Sequence, residues 1–61
     1  MKRTDIDRRL RKAGFVISSG GNHDIARKRG EKGPIISIPR HREINELTAK
    51  AILKDAGILE G

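Results

Sequence analysis

A chain of 61 residues with no cysteine must close its core with aliphatic side chains almost alone, since Phe15 is its one aromatic residue. A domain of this size buries only roughly 60% of the surface its unfolded chain exposes. Disulfide staples and thiolate metal sites are excluded, and the chain fits a reducing compartment. The large apolar residues are Ile6, Leu10, Phe15, Val16, Ile17, Ile25, Ile35, Ile36, Ile38, Ile44, Leu47, Ile52, Leu53, Ile58 and Leu59. Each contributes roughly 1.5–3 kcal/mol when fully buried. That supports one thin core in a single domain spanning residues 1–61, without a deep enclosed pocket. Function is expected on a surface or in a shallow groove.

The order of these residues predicts the architecture. Thr4 is a candidate N-cap, with Asp7 three residues on as an acidic variant of the capping box. Ile6, Leu10 and Ala13 share one helical face, and Gly14 sits where a left-handed C-terminal cap belongs. Phe15–Ser18 is a β-branched run that reads as a strand. Ser19-Gly20-Gly21-Asn22 is a turn, because glycine and asparagine supply positive φ. A second strand runs from about His23 to Lys28, and a second turn spans Arg29–Pro34. Ile35–Ile38 is the third strand, ended by Pro39, which has no donor for a ladder. After a connector, Arg40–Ile44, Asn45 caps a helix to about Ala56, with Gly57 closing it. Ala49, Ile52, Leu53 and Ala56 share its apolar face, while Lys50 and Lys54 point away. A three-stranded antiparallel meander needs one face covered. The fold class expected is therefore α+β: a two-layer sandwich in the order helix-strand-strand-strand-helix, both helices on one face of the sheet.

Charge narrows the function classes. Fourteen Lys and Arg against eight Asp and Glu give a net charge of +6, a positive density that attracts polyanions. Nucleic acid is the first candidate. Base-stacking platforms are disfavoured by the lack of aromatics, so RNA would be held by its backbone and by hydrogen bonds. No apolar run approaches the ~20 residues of a membrane span, and no signal-peptide core is present. No segment pairs a basic face with a broad apolar one rich in Trp or Phe. A cytoplasmic protein without a membrane partner is expected.

His23 is the candidate catalytic residue. It follows Gly20-Gly21-Asn22, where the absence of Cβ atoms lets phosphate or ribose approach, and an imidazole can move protons near neutral pH. RNA carries its own nucleophile, the 2′-OH, so cutting it needs a base, a cation and alignment. Arg27, Lys28 and Arg29 are close in sequence and are candidates for the cation. The plain alternative is an ordinary strand-edge histidine. His41, in Pro39-Arg40-His41-Arg42, is a second candidate phosphate contact, or a solvated loop residue. Lys50 and Lys54 can grip phosphate or simply form the wet side of a helix. Two histidines and no cysteine argue against a structural metal site, and no cofactor motif is present.

At this point the chain resembles the HicA toxins, the smaller partners of HicAB toxin–antitoxin pairs. Three stretches carry the likeness: the opening helix with Gly14 and its following strand; Gly20-Gly21-Asn22-His23; and Ile38-Pro39-Arg40-His41 followed by Ala51-Ile52-Leu53-Lys54-Asp55-Ala56-Gly57-Ile58. The resemblance implies a fold like double-stranded RNA-binding domains. It implies a ribosome-independent endoribonuclease acting on mRNA, with His23 catalytic and a HicB-like antitoxin covering the active site. The alternative is a non-catalytic RNA-binding module of the same fold.

One departure leaves two alignments open. Many members place the histidine directly after the small residue, whereas here Asn22 intervenes. Aligned without a gap, Asn22 takes the catalytic position. Strand neighbours face opposite sides, so if Ile25 points to the core His23 does too. If Asp24 and Ala26 point inward, His23 is exposed. The second case is favoured, with a bulge absorbing the extra residue. Asp24 would then need a partner.

Overall fold

The computed structural model describes residues 1–30 and 35–58. Five elements appear in the expected order: α1 (Arg3–Lys12), β1 (Phe15–Gly20), β2 (His23–Lys28), β3 (Ile36–Ile38) and α2 (Glu46–Asp55). The strands form an antiparallel meander in the order β1-β2-β3. α1 packs on β1 and α2 on β3, which gives the two-layer α+β arrangement. Ile6 and Leu10 of α1 and Ala49 and Ile52 of α2 meet Phe15, Ala26, Ile36 and Ile38 of the sheet, with Ile44 closing the end.

Local chemistry sets most boundaries. Gly14, at φ +94°, turns the chain out of α1, and the Asn45 side chain accepts from the Leu47 amide at 2.8 Å to cap α2. Gly57, at φ +73°, leaves α2. Four expectations are corrected. α1 starts at Arg3 with Lys2 at its cap, and no side chain caps it. The Thr4–Asp7 capping box does not form, because the Asp7 carboxylate is taken by Arg3. The earlier start follows from a bridge between Lys2 and Glu43, where the Arg3 amide donates to the Arg42 carbonyl at 3.0 Å. β3 starts at Ile36 rather than Ile35, which is exposed. The hairpin has no bulge: pairing runs unbroken from Phe15↔Lys28 to Gly20↔His23, leaving Gly21-Asn22 as a two-residue turn. Only Gly21 has positive φ there, +61°, the first-position glycine of a type II′ hairpin. Residues 31–34, which end the expected second turn, and Leu59 lie outside the described residues.

Candidate functional site

Register decides which way His23 faces. Directly paired residues share a face, so Ile17, Ala26 and Ile36 form one inward row, and Ser19, Asp24 and Ile38 the next. Ala26 and Ile38 are fully buried there. The outward rows are Gly20 with His23, then Ser18 with Ile25 and Ser37, then Val16 with Arg27. His23 is therefore exposed on the open face of the sheet, at the hairpin end of β2. Gly20 lies opposite it. A Cβ built on Gly20 would collide with Cδ1 and Cγ1 of Ile25, so this glycine makes room for Ile25 to lean along the outer face beside His23. Gly21 and Asn22 are exposed at the turn, with open space where a Gly21 Cβ would stand.

Facing Asp24 inward requires a counter-charge, and two arginines distant in sequence supply it. Arg3 Nη2 donates to Asp24 Oδ2 at 2.7 Å, and Arg40 Nε donates to Asp24 Oδ1 at 2.9 Å. Arg3 also donates from Nε to Asp7 Oδ1 at 2.7 Å and from Nη1 to the Pro39 carbonyl at 2.9 Å. The side chains of Arg3, Asp7 and Asp24 are 14%, 20% and 18% exposed, against 44% for Arg40. Hydrogen bonds from Arg3 and then Arg40 hold the Asp24 carboxyl below its usual range, outweighing the effect of burial. Burial works against the charge on Arg3, but the bonds and attraction of Asp7 and Asp24 outweigh it and raise its pKa. These groups form the floor of an open cleft of about 730 Å³, flanked by Lys2, Thr4, His41, Arg42 and Glu43.

The residues singled out from sequence thus fall in different places. His23, Gly20, Gly21 and Asn22 share the hairpin end, and Arg27 shares the outward face of His23, four residues along β2. At about 3.3 Å per residue their backbones are ~13 Å apart. Lys28, paired with Phe15, points to the other side at the strand's far end. The Arg29 amide donates to the Gly14 carbonyl at 2.9 Å, also far from His23. His41 lies in the cleft. Lys50 and Lys54 are exposed on α2, in the helix layer behind the sheet. The sequence reading missed Arg3 and Arg40. The signal was the inward Asp24, which demanded a cation, but nothing local identified which one. Among the described residues no group of three His, Cys, Asp or Glu side chains converges as a metal site.

A family model described as the HicA toxin of bacterial toxin–antitoxin matches residues 3–58. The chain belongs to the HicA family. No curated protein and no solved structure matches it. Membership makes this HicA chain the toxin of a toxin–antitoxin system and implies an antitoxin as its partner. No helix among the described residues is long and apolar enough to cross a membrane.

Proposed function

We propose that this HicA chain is a cytoplasmic endoribonuclease that cuts mRNA without the ribosome, with His23 as its catalytic base. The observation that carries the reading is the parity of β2: Asp24 and Ala26 turn inward, so the imidazole stands on the open, helix-free face of the sheet. The backbone turn at Gly21-Asn22 is exposed beside it, and the chain's charge of +6 draws in polyanions.

In this mechanism His23 accepts the proton of a ribose 2′-OH. The 2′-oxygen attacks the adjacent phosphorus, and the P–O5′ bond breaks as the leaving oxygen takes a proton from water or from the imidazolium. The products are a 2′,3′-cyclic phosphate and a 5′-hydroxyl end. The nucleophile belongs to the RNA, so the protein supplies a base, positive charge and alignment. Gly20, Gly21 and Asn22 border the reacting phosphate. Arg27 lies too far along the strand to sit on that phosphate and holds the backbone further on. Lys28, Arg29, His41, Lys50 and Lys54 contribute to capture of the polyanion. A HicB-like antitoxin restrains the enzyme by covering the His23 face.

The test is induction in a bacterial host, with and without His23→Ala, following growth and mRNA integrity. Growth arrest with mRNA decay, abolished by the substitution, supports the reading. Equal arrest by both forms removes His23 from the chemistry and shifts attention to Asn22 and His41. No arrest by either soluble form points to the non-catalytic RNA-binding module.

A further inference from the structure

The two arginines on Asp24 are used differently. Arg3 commits Nε, Nη1 and Nη2 to three separate acceptors on α1, β2 and the chain after β3. It is a structural tie with little left to offer a ligand. Arg40 commits Nε alone. Among the described residues its two Nη groups make no hydrogen bond, and nearly half the side chain is open to solvent. Asp24 thus anchors the inner edge of the Arg40 guanidinium while its outer edge faces the cleft. A guanidinium held in this way is a preoriented fork, and the fork matches two oxygens of a phosphate.

The rest of the cleft is compatible with an anion. Of its acidic groups, Asp24 is bonded to two arginines and Asp7 to one. Glu43, 70% exposed on the rim, is paired with the N-terminal ammonium of Met1 at 3.9 Å. Lys2, His41 and Arg42 supply further donors around the opening. Asp24 immediately follows His23, so the cleft opens at the same end of β2, around the rim from the outward face.

We propose that this cleft is a phosphodiester-binding site, with Arg40 as its fork and Asp24 as the residue that positions the fork. An RNA strand crossing the His23 face continues around the end of β2 and is anchored there by a neighbouring phosphate. The assignment of RNA as the source of that phosphate rests on the proposed nuclease function.

The test uses the full chain and a short 2′-O-methyl oligoribonucleotide, which lacks the nucleophile and is not cut. Affinity is measured by fluorescence anisotropy over a range of salt for wild type, Arg40→Ala, Arg40→Lys and, as a control on the helix layer, Arg9→Ala. Thermal melts confirm that each variant is folded. Arg40→Ala is expected to weaken binding about tenfold and to reduce the slope of log K against log salt by about 0.7, one phosphate contact on a single strand. Arg40→Lys should restore the slope but not the full affinity, because the charge returns without the fork. Arg9→Ala should change little. Affinity and slope unchanged in folded Arg40→Ala overturn the site. A phosphodiester site is competed only weakly by inorganic phosphate, so Arg40-dependent half-displacement at a phosphate concentration at or below the oligonucleotide's own Kd would also overturn it and reassign the cleft to free phosphate. The nuclease reading fails separately. If wild type binds through Arg40 yet leaves unmodified RNA intact, the site stands without the chemistry. If wild type cuts RNA and Arg40→Ala binds it equally well, the chemistry stands without the site.

Discussion

Replacing Arg3 by methionine keeps much of the aliphatic bulk and removes a guanidinium that joins α1, β2 and the segment after β3. The cost can be worked from its bonds. Asp24 keeps Arg40 after the change, so the lost Arg3–Asp24 bond is left out of the sum, which is therefore a lower bound. That leaves the bonds to Asp7 and to the Pro39 carbonyl. A hydrogen bond to a charged group contributes roughly 1.5–3 kcal/mol when buried. Water reaches these groups in part, so about 1 kcal/mol each is appropriate, or about 2 kcal/mol together. A 61-residue domain has a total stability of roughly 3–9 kcal/mol. The loss should lower Tm by roughly 8–16 °C. Thermal unfolding followed by circular dichroism at neutral pH reads this directly. Arg40→Met, which breaks one bond on a half-exposed side chain, should move Tm by only a few degrees. Equal shifts for the two variants, or an Arg3→Met melt that matches wild type, would refute the division of labour between a structural and a ligand-facing arginine.

Asp24 also predicts a pH dependence. Its carboxyl is lowered in the folded state by Arg3 and Arg40, so its contribution is fully present above the ordinary aspartate range, about 3.9, and is lost as pH falls through the folded value. Urea midpoints measured from neutral to acid pH should fall less steeply for Asp24→Asn than for wild type, and parallel curves would contradict the pairing. Asn45→Ala removes the cap on the Leu47 amide and should cost about 1 kcal/mol, read as a lower urea midpoint at unchanged slope. Gly21→Ala meets no atom within 4 Å but inherits φ +61°, so strain alone should cost about 1–2 kcal/mol, and Gly21→Asn should cost less. Identical midpoints for the alanine and asparagine variants would show that φ is not the constraint.

The element order was legible because it is written in local chemistry. Gly14, the Gly21-Asn22 turn, Pro39, Asn45 and Gly57 each act within a few residues of themselves, and each punctuates the structure where its backbone preferences require. What was not legible is long-range. The true start of α1 depends on pairing between Lys2 and Glu43, which no capping rule anticipates. The unbulged hairpin depends on Gly21 alone taking the positive φ that the turn needs, so the extra residue Asn22 is absorbed by the turn itself. The candidate site was legible at His23 and less so around it. Arg27, Lys28 and Arg29 are neighbours of His23 in sequence, yet an extended strand carries them to its far end. Arg40 is 16 residues from Asp24 along the chain and is brought to it only because β3 pairs beside β2.

This geometry links the exposure of His23 to the arginine pair. Side chains alternate along β2, so any arrangement that turns His23 outward turns Asp24 toward the helices. An uncompensated carboxylate there would favour slipping the strand by one residue, which would reverse every face and bury His23. Arg3 and Arg40 remove that incentive, and Ala26 adds to the bias because the inward position between Ile17 and Ile36 is fully enclosed. Gly20 acts in the same direction on the outer face, since it leaves the space that Ile25 fills beside His23. The orientation of the histidine is thus set by its neighbours' needs on both sides of the sheet rather than by any bond of its own. A search for functional residues in such a small chain therefore does well to ask which partner each inward charge requires.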